Sequence, residues 1–254
     1  MKICVFGAAS SEIDKSFIDA VENLGKELAK RGHSLVFGAG GNGLMGAVAR
    51  GVKSEGGRIT GIIPKFFREQ GIEAIFDECD DLIFTETMAE RKSTMENMSD
   101  AFVVVPGGVG TFEELFQVFT AKQLGIHTKP ISIYDVNGYY RELDNFLRVS
   151  VNEKFIRPEC KALYDYTDNV DELFSYIEND RRIIRDVHDL KNGYITKYAI
   201  FKRGVKQISH LKFLLAFLHS GIFKREIFIY FQFFQKPKVY NPTHYLPQGD
   251  KRSV

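Results

Sequence analysis

The stretch that decides the fold is "AFVVVPGGVGTFEELF", residues 101–116. It opens with five consecutive apolar residues, Ala101 to Val105. A short continuous apolar run reads as a strand buried on both faces, the situation in a parallel sheet with helices on each side. Pro106, Gly107, Gly108 and Gly110 then break the run. From Thr111 onward Leu115, Val118, Phe119 and Leu124 recur at three- and four-residue spacing, which predicts a helix. Thr111 is its candidate N-cap, and Glu114 stands three residues on, the capping-box spacing. Strand, glycine turn and helix within sixteen residues is one half of a βαβ unit.

The same grammar extends in both directions. "KICVFGA" (2–8), "SLVFGAG" (34–40), "RITGIIP" (58–64), "DLIFTET" (81–87) and "PISIYD" (130–135) are further β-branched and aromatic runs. Between the first two, "DKSFIDAVENLGKELAKRG" places Phe17, Val21, Leu24 and Leu28 on one helical face and stops at Gly32, a residue suited to the left-handed C′ position. Repeated alternation of this kind predicts an α/β fold, a Rossmann-like doubly wound and mostly parallel sheet flanked by helices. Such sheets bind ligands beyond the C-terminal ends of their strands. The glycines collect there: Gly7 after the first strand, "GAGGNGLMG" (38–46) after the second and "PGGVGT" (106–111) after the fifth.

Glycine lets a ligand approach the backbone closely, and a helix N-terminus supplies free N–H groups and a positive dipole end. "PGGVGT" meets both conditions, with the Thr111 hydroxyl as a further donor, and "GAGGNGLMG" is expected to meet them again. Phosphate binding is therefore favoured over plain tight turns. Neither loop is followed by G-K-[ST], and the turn after the first strand reads "GAASSE", so neither a Walker A loop nor a dinucleotide fingerprint is present.

Two carboxylates follow the loop. Glu113 is expected to complement the helix dipole. Glu114, about 100° further around the helix, would face the cleft. A carboxylate beside a phosphate cradle repels the phosphate, so its value lies toward a part of the ligand that becomes cationic, such as a ribosyl oxocarbenium ion. "MAERKSTMENMSD" (88–100) places Arg91 and Lys92 near the end of the strand "DLIFTET". A surface ion-pair face and an anion contact are both compatible with that position. Arginine stays protonated, so Arg91 can clamp or polarise but is a poor general acid.

"GLMGAVA" (43–49), "ERK" (90–92), "PGGVGTFEE" (106–114), "QLGIHTKP" (123–130) and "NGYY" (137–140) together resemble the LONELY GUY family. Its members are cytokinin riboside 5′-monophosphate phosphoribohydrolases, often mislabelled lysine decarboxylases. The resemblance covers Ile3 to about residue 178. It implies a homodimer that cleaves the N-glycosidic bond of a nucleoside 5′-monophosphate, either a cytokinin precursor or AMP, to free base and ribose 5-phosphate, with no metal and no cofactor. It also implies that Arg91 and Glu114 are catalytic. Substrate contacts are expected from Lys92, Gly107, Gly108, Val109, Gly110, Thr111, Glu113 and Thr120, and from Gly40, Gly41, Gly43 and Met45 in the second loop. Two departures touch the pocket rim: "GAASSE" after the first strand, and Ala39 within a loop that usually carries three consecutive glycines. The competing readings are a nucleotide or molybdenum-cofactor carrier of the same superfold, and a regulatory protein with a vestigial pocket. No lysine sits in a recognisable pyridoxal-phosphate setting.

Charge divides the chain. Residues 181–254 hold 15 Lys and Arg against 4 Asp and Glu, whereas residues 1–180 hold 19 against 29. The expected organisation is a catalytic domain over 1–180 and a basic, phenylalanine-rich extension over 181–254. Its runs "HLKFLLAFLHSGIF" and "IFIYFQFFQKPKVY" fall short of the roughly 20 apolar residues of a membrane span. Packing on the domain or its partner is expected, with membrane or nucleic-acid contact as alternatives. Scattered Cys4, Cys79 and Cys160 and the absence of a signal pattern in "MKICVFGA" point to the cytoplasm.

Overall fold

The structure, a computed structural model, describes residues 1–179. Seven strands form one sheet: β1 (Lys2–Phe6), β2 (Ser34–Phe37), β3 (Ile59–Pro64), β4 (Asp81–Thr85), β5 (Ala101–Val104), β6 (Ile131–Tyr134) and β7 (Asp165–Thr167). Their order is 4-3-2-1-5-6-7, and every neighbouring pair is parallel. The chain winds outward in one direction from β1 and in the other from β5. These two strands lie side by side, Ile3 opposite Ala101 and Phe6 opposite Val104. The loops leaving them therefore diverge, which opens a crevice above their C-terminal ends.

The continuous apolar strands are explained by the two layers they serve. Successive side chains on a strand point to opposite faces. Ile3, Val5, Leu35, Phe37, Ala101 and Val103 pack with Val21, Leu24 and Leu28 of α1 (Lys15–Lys30), Val48 and Val52 of α2 (Gly43–Ser54), and Leu173, Phe174 and Ile177 of α7 (Val170–Asn179). Their neighbours Cys4, Phe6, Val36, Phe102 and Val104 pack on the other face with Met95 of α4 (Met88–Met98) and with Leu115 and Val118 of α5 (Val109–Gln123). Truncating a side chain such as Leu24, which is 1% exposed, to alanine would cost about 2–5 kcal/mol.

The first helix ends as its sequence predicts. Gly32 takes φ +73°, its N–H donates to Ala29 O at 2.8 Å, and the His33 N–H donates to Leu28 O at 3.1 Å. At the N-terminus the Asp14 carboxylate accepts from the Ser16 N–H at 2.9 Å.

Two expectations are corrected, and one strand is added. Helix α5 begins at Val109, with Gly108 as its N-cap and no side-chain cap. Thr111 is thus inside the first turn, and no capping box with Glu114 forms. Pro106 and Gly107 complete the turn early, so the helix starts three residues sooner than a Thr111 N-cap implies. Leu124 lies beyond the helix end and is 56% exposed, so it leaves the predicted apolar face. Finally, β7 was unforeseen, because "DYT" is too short to show a period.

Short α3 (Lys65–Gln70) follows β3, and α6 (Arg141–Asn152) lies between β6 and β7. No helix among the described residues is long and apolar enough to cross a membrane. The basic extension assigned to residues 181–254, with its packing, membrane and nucleic-acid readings, lies outside the described residues.

Candidate active site at the ends of the central strands

The crevice is tied together by backbone. Val105 N–H donates to Phe6 O at 2.9 Å and Ala8 N–H to Pro106 O at 3.1 Å, joining the loops of β1 and β5. From there Gly108 turns extended into α5. The first amides of a helix have no partner within it, and α5 carries no acidic residue in its first turn and no capping side chain to take them. Gly108, Val109 and Gly110 are exposed, with open space where a Cβ on Gly108 or Gly110 would stand. Gly107 is different: a Cβ there would overlap Thr111 Oγ1. Its glycine lets the buried Thr111 hydroxyl fold under the loop.

The second loop is not a second anion site of this kind. The amides that open α2, on Leu44 and Met45, donate to Ala8 O at 2.9 and 3.3 Å. Gly41 N–H donates to Ala74 O at 2.7 Å, and Phe76 N–H donates to Ala39 O at 2.9 Å. The expectation of free N–H groups at "GAGGNGLMG" fails because the chain supplies its own acceptors. Gly40, Gly41, Gly43 and the buried Met45 instead form the rim between the β1 loop and the crossing segment 72–76. Ala39 takes φ +63° in this rim and is fully buried, a conformation costing a non-glycine residue roughly 1–2 kcal/mol.

Arg91 and Glu114 come together across the crevice. On α4, capped by Thr87 Oγ1 accepting from Glu90 N–H at 3.1 Å, Arg91 points inward over the strand ends. Its Nε donates to Ile62 O at 3.1 Å and its Nη2 to Gly38 O at 3.3 Å. The remaining nitrogen, Nη1, lies 4.0 Å from Glu114 Oε1, and the two side chains are only 12% and 15% exposed. Burial pushes the Glu114 carboxyl up to about 7, against the opposing pull of Arg91; Glu113 pushes it further and Lys92 resists. It is a group poised to exchange protons near neutrality.

Glu113 does not cap the helix. It sits one turn further in than expected, and its carboxylate pairs with Lys92 on α4. Lys92 is thereby brought to the rim beside Arg91. Thr120 lies on the exposed side of α5, nine residues past Thr111, which is about 13 Å along a helix axis. Within one chain it is not brought to the loop. Its exposed neighbours at helical spacing are Val109, Glu113 and Phe116.

Residues with no role assigned from sequence complete the site. Tyr139 O–H donates to Gly107 O at 2.7 Å, and buried Tyr140 O–H donates to Val105 O at 2.8 Å. Asp135 Oδ1 fixes Tyr140 by accepting its N–H at 2.7 Å. "NGYY" was visible as a motif, but only the fold shows that its phenols hold the carbonyls of the glycine loop from behind. Glu73, in the segment crossing the second loop, had no sequence signal.

The chain is similar to known proteins. A family profile described as "Possible lysine decarboxylase" matches residues 45–177. The cytokinin riboside 5′-monophosphate phosphoribohydrolase LOG5 of Arabidopsis thaliana is 38% identical over 177 residues, covering 70% of this chain and 77% of that protein. The probable phosphoribohydrolase LOGL6 of Oryza sativa subsp. japonica is 39% identical, covering 70% of each. Among solved structures, the molybdenum cofactor carrier protein of Chlamydomonas reinhardtii matches with a TM-score of 0.54 and 23% identity, over 70% of this chain and 96% of that one. That likeness shows the fold alone. With a profile spanning more than half its length and phosphoribohydrolase relatives near 38% identity, the chain belongs to the LONELY GUY family.

Proposed function

We propose that the protein hydrolyses the N-glycosidic bond of a nucleoside 5′-monophosphate, a cytokinin riboside 5′-monophosphate or AMP, to free base and ribose 5-phosphate. The observation that carries this reading is the buried Arg91–Glu114 pair set behind an uncapped helix N-terminus. The amides of the Gly108–Thr111 turn and the Thr111 hydroxyl take the 5′-phosphate. Glu114, as carboxylate, takes a proton from the attacking water or stabilises positive charge at C1′ as the bond to the base breaks. Arg91, fixed by two strand-end carbonyls, orients the nucleotide, and Lys92 supplies a second positive charge at the rim. Gly40, Gly41, Gly43 and Met45 shape the opposite wall.

A carrier of the molybdenum cofactor has the fold on its side, but a pure anion carrier gains nothing from a buried carboxylate at this place. Incubation with AMP and with N6-prenylated AMP, followed by chromatography for free base, tests the hydrolase. Release of base that Glu114→Ala lowers at least a hundredfold is expected, in line with general acid–base contributions of about 10²–10⁴. A rate within tenfold of wild type would overturn the assignment.

The working form is proposed to be a homodimer built on α5. Val109 is 84% and Phe116 36% exposed, on a stripe that also carries Thr120 and that a second copy would cover. On this arrangement Thr120 serves the partner's pocket. Sedimentation of the wild-type chain and of Phe116→Asp distinguishes the two states: a dimer that the substitution splits supports it. A cytoplasmic location fits three free cysteines and is checked by cell fractionation. The domain limits at 1–180 and 181–254 are part of the same proposal, to be tested by limited proteolysis.

A further inference from the structure

An N-glycosidic bond to a purine breaks with its electron pair going to the base, and a proton delivered to a ring nitrogen makes the base a better leaving group. Glu114 handles the sugar side, and Arg91 is too weak an acid to deliver that proton. The proposed reaction therefore lacks a donor.

Glu73 stands where one is needed. Its segment is fastened over the second loop by Gly41 N–H to Ala74 O at 2.7 Å and Phe76 N–H to Ala39 O at 2.9 Å. Its carboxyl reaches over that loop so closely that a Cβ on Gly40 would run into Glu73 Oε1. Two residues away, Gly38 gives its carbonyl and its empty side-chain space to Arg91. One short loop thus carries the Arg91 guanidinium at one glycine and the Glu73 carboxyl at another. Among the described residues Glu73 makes no hydrogen bond and no ion pair. A half-buried carboxyl with no hydrogen-bonded partner among the described residues, beside a reaction centre, is available to a ligand.

The order of groups across the crevice is then complete. In the proposed arrangement phosphate lies on the amides after β5, the sugar against the Arg91–Glu114 pair, and the base toward the loop after β2 and Glu73. We infer that Glu73 is the catalytic acid that protonates the leaving base, an assignment that rests on the hydrolase reading above. Water attacks C1′ and its proton passes to Glu114. The C1′–N bond breaks with its electron pair on the base, and the Glu73 carboxyl proton passes to a base ring nitrogen. Loss of the Glu114 proton to solvent and uptake of one by Glu73 restore the enzyme, so one water is consumed per turnover. Burial already holds the Glu73 carboxyl above the usual carboxylate range, against the pull of Arg91. A base seated over it strips further water and favours the protonated form.

The test compares AMP with 4-nitrophenyl riboside 5-phosphate, whose nitrophenolate leaves as a stable anion and needs no proton. Wild type, Glu73→Gln and Glu73→Asp are assayed on both. For Glu73→Gln, kcat/KM on AMP is expected to fall at least about a hundredfold, and on the nitrophenyl compound less than about fivefold. The alkaline limb of the AMP pH profile should disappear with it, and Glu73→Asp should restore part of the AMP rate. Activity on the nitrophenyl compound also certifies that the variant is folded. Equal losses on both substrates, or no loss on AMP, overturn the role of Glu73 and leave the hydrolase standing. Wild type that releases base from neither AMP nor N6-prenylated AMP, and no nitrophenolate, overturns the hydrolase reading and this assignment with it.

Discussion

Arg91 occupies the space that a side chain on Gly38 would need: a Cβ on that residue would fall inside the guanidinium, whose Nη2 also donates to the Gly38 carbonyl at 3.3 Å. The arginine is held by strand ends rather than by the helix it grows from. Gly38→Ala must therefore push Arg91 out of register with Glu114. The expected result is a fall in kcat of about a hundredfold, the scale for misplacing a group by an ångström, measured on AMP with a melting curve as control. Arg91→Lys should fare no better, since one ammonium cannot serve two carbonyls and Glu114 in a fixed fork.

Glu113 and Glu114 are adjacent in sequence and separate in consequence. Glu113 is 53% exposed in its pair with Lys92, an interaction worth about 0.2–1 kcal/mol at most. Glu113→Gln is expected to change kcat/KM less than tenfold, and Glu114→Gln more than a hundredfold. Parallel assays of the two single variants check this.

Glu114 also sets a pH dependence of stability. Its carboxyl titrates at about 7 in the folded chain and near 4.3 when unfolded. Between those values the folded state binds the extra proton, so the stability it confers is complete below about 4.3 and is lost as pH rises through 7. Glu114→Gln should thus gain on wild type by on the order of 3 kcal/mol between pH 4 and 8. His127 pulls the other way: burial lowers it to about 4, so its contribution is lost as pH falls below its unfolded value near 6.5. Wild type should show a shallow slope where the two overlap, and urea unfolding of the Gln variant across pH should uncover the His127 slope.

Tyr139 grips the glycine loop through Gly107 O at 2.7 Å while its ring packs edge-on against Phe17 and Tyr140. Tyr139→Phe keeps the packing and frees the carbonyl. KM for AMP is expected to rise severalfold with kcat nearly unchanged, because the phosphate proposed to bind this loop does not react. Tyr140→Phe instead leaves Val105 O unsatisfied in a buried setting, and should cost about 1–3 kcal/mol of stability, read from denaturant midpoints.

The alternation of apolar runs and helical faces was enough to place six strands and to put the glycines at one edge, because buried parallel strands leave a continuous signal. The pairing of Arg91 with Glu114 was legible as composition at two strand ends, since topology brings such ends together. What sequence could not show is which donors are already spent. The amides of Leu44 and Met45 look as free as those of Val109 and Gly110 until Ala8 O is seen beneath them. Thr111 likewise has the composition of a cap, and only the turn geometry places it inside the helix. Glu73 depends on a crossing segment without regular structure, which no periodicity announces.

The uncapped start of α5 reaches beyond substrate binding. The phosphate that is proposed to bind there stays on the sugar when the base departs, so ribose 5-phosphate would meet the same amides as the nucleotide did. Such a contact is spent equally on reactant and product: it gathers the nucleotide at low concentration and then delays turnover. Ribose 5-phosphate should compete with AMP, free adenine far less so, and cellular sugar phosphate would then set the pace at which this enzyme works.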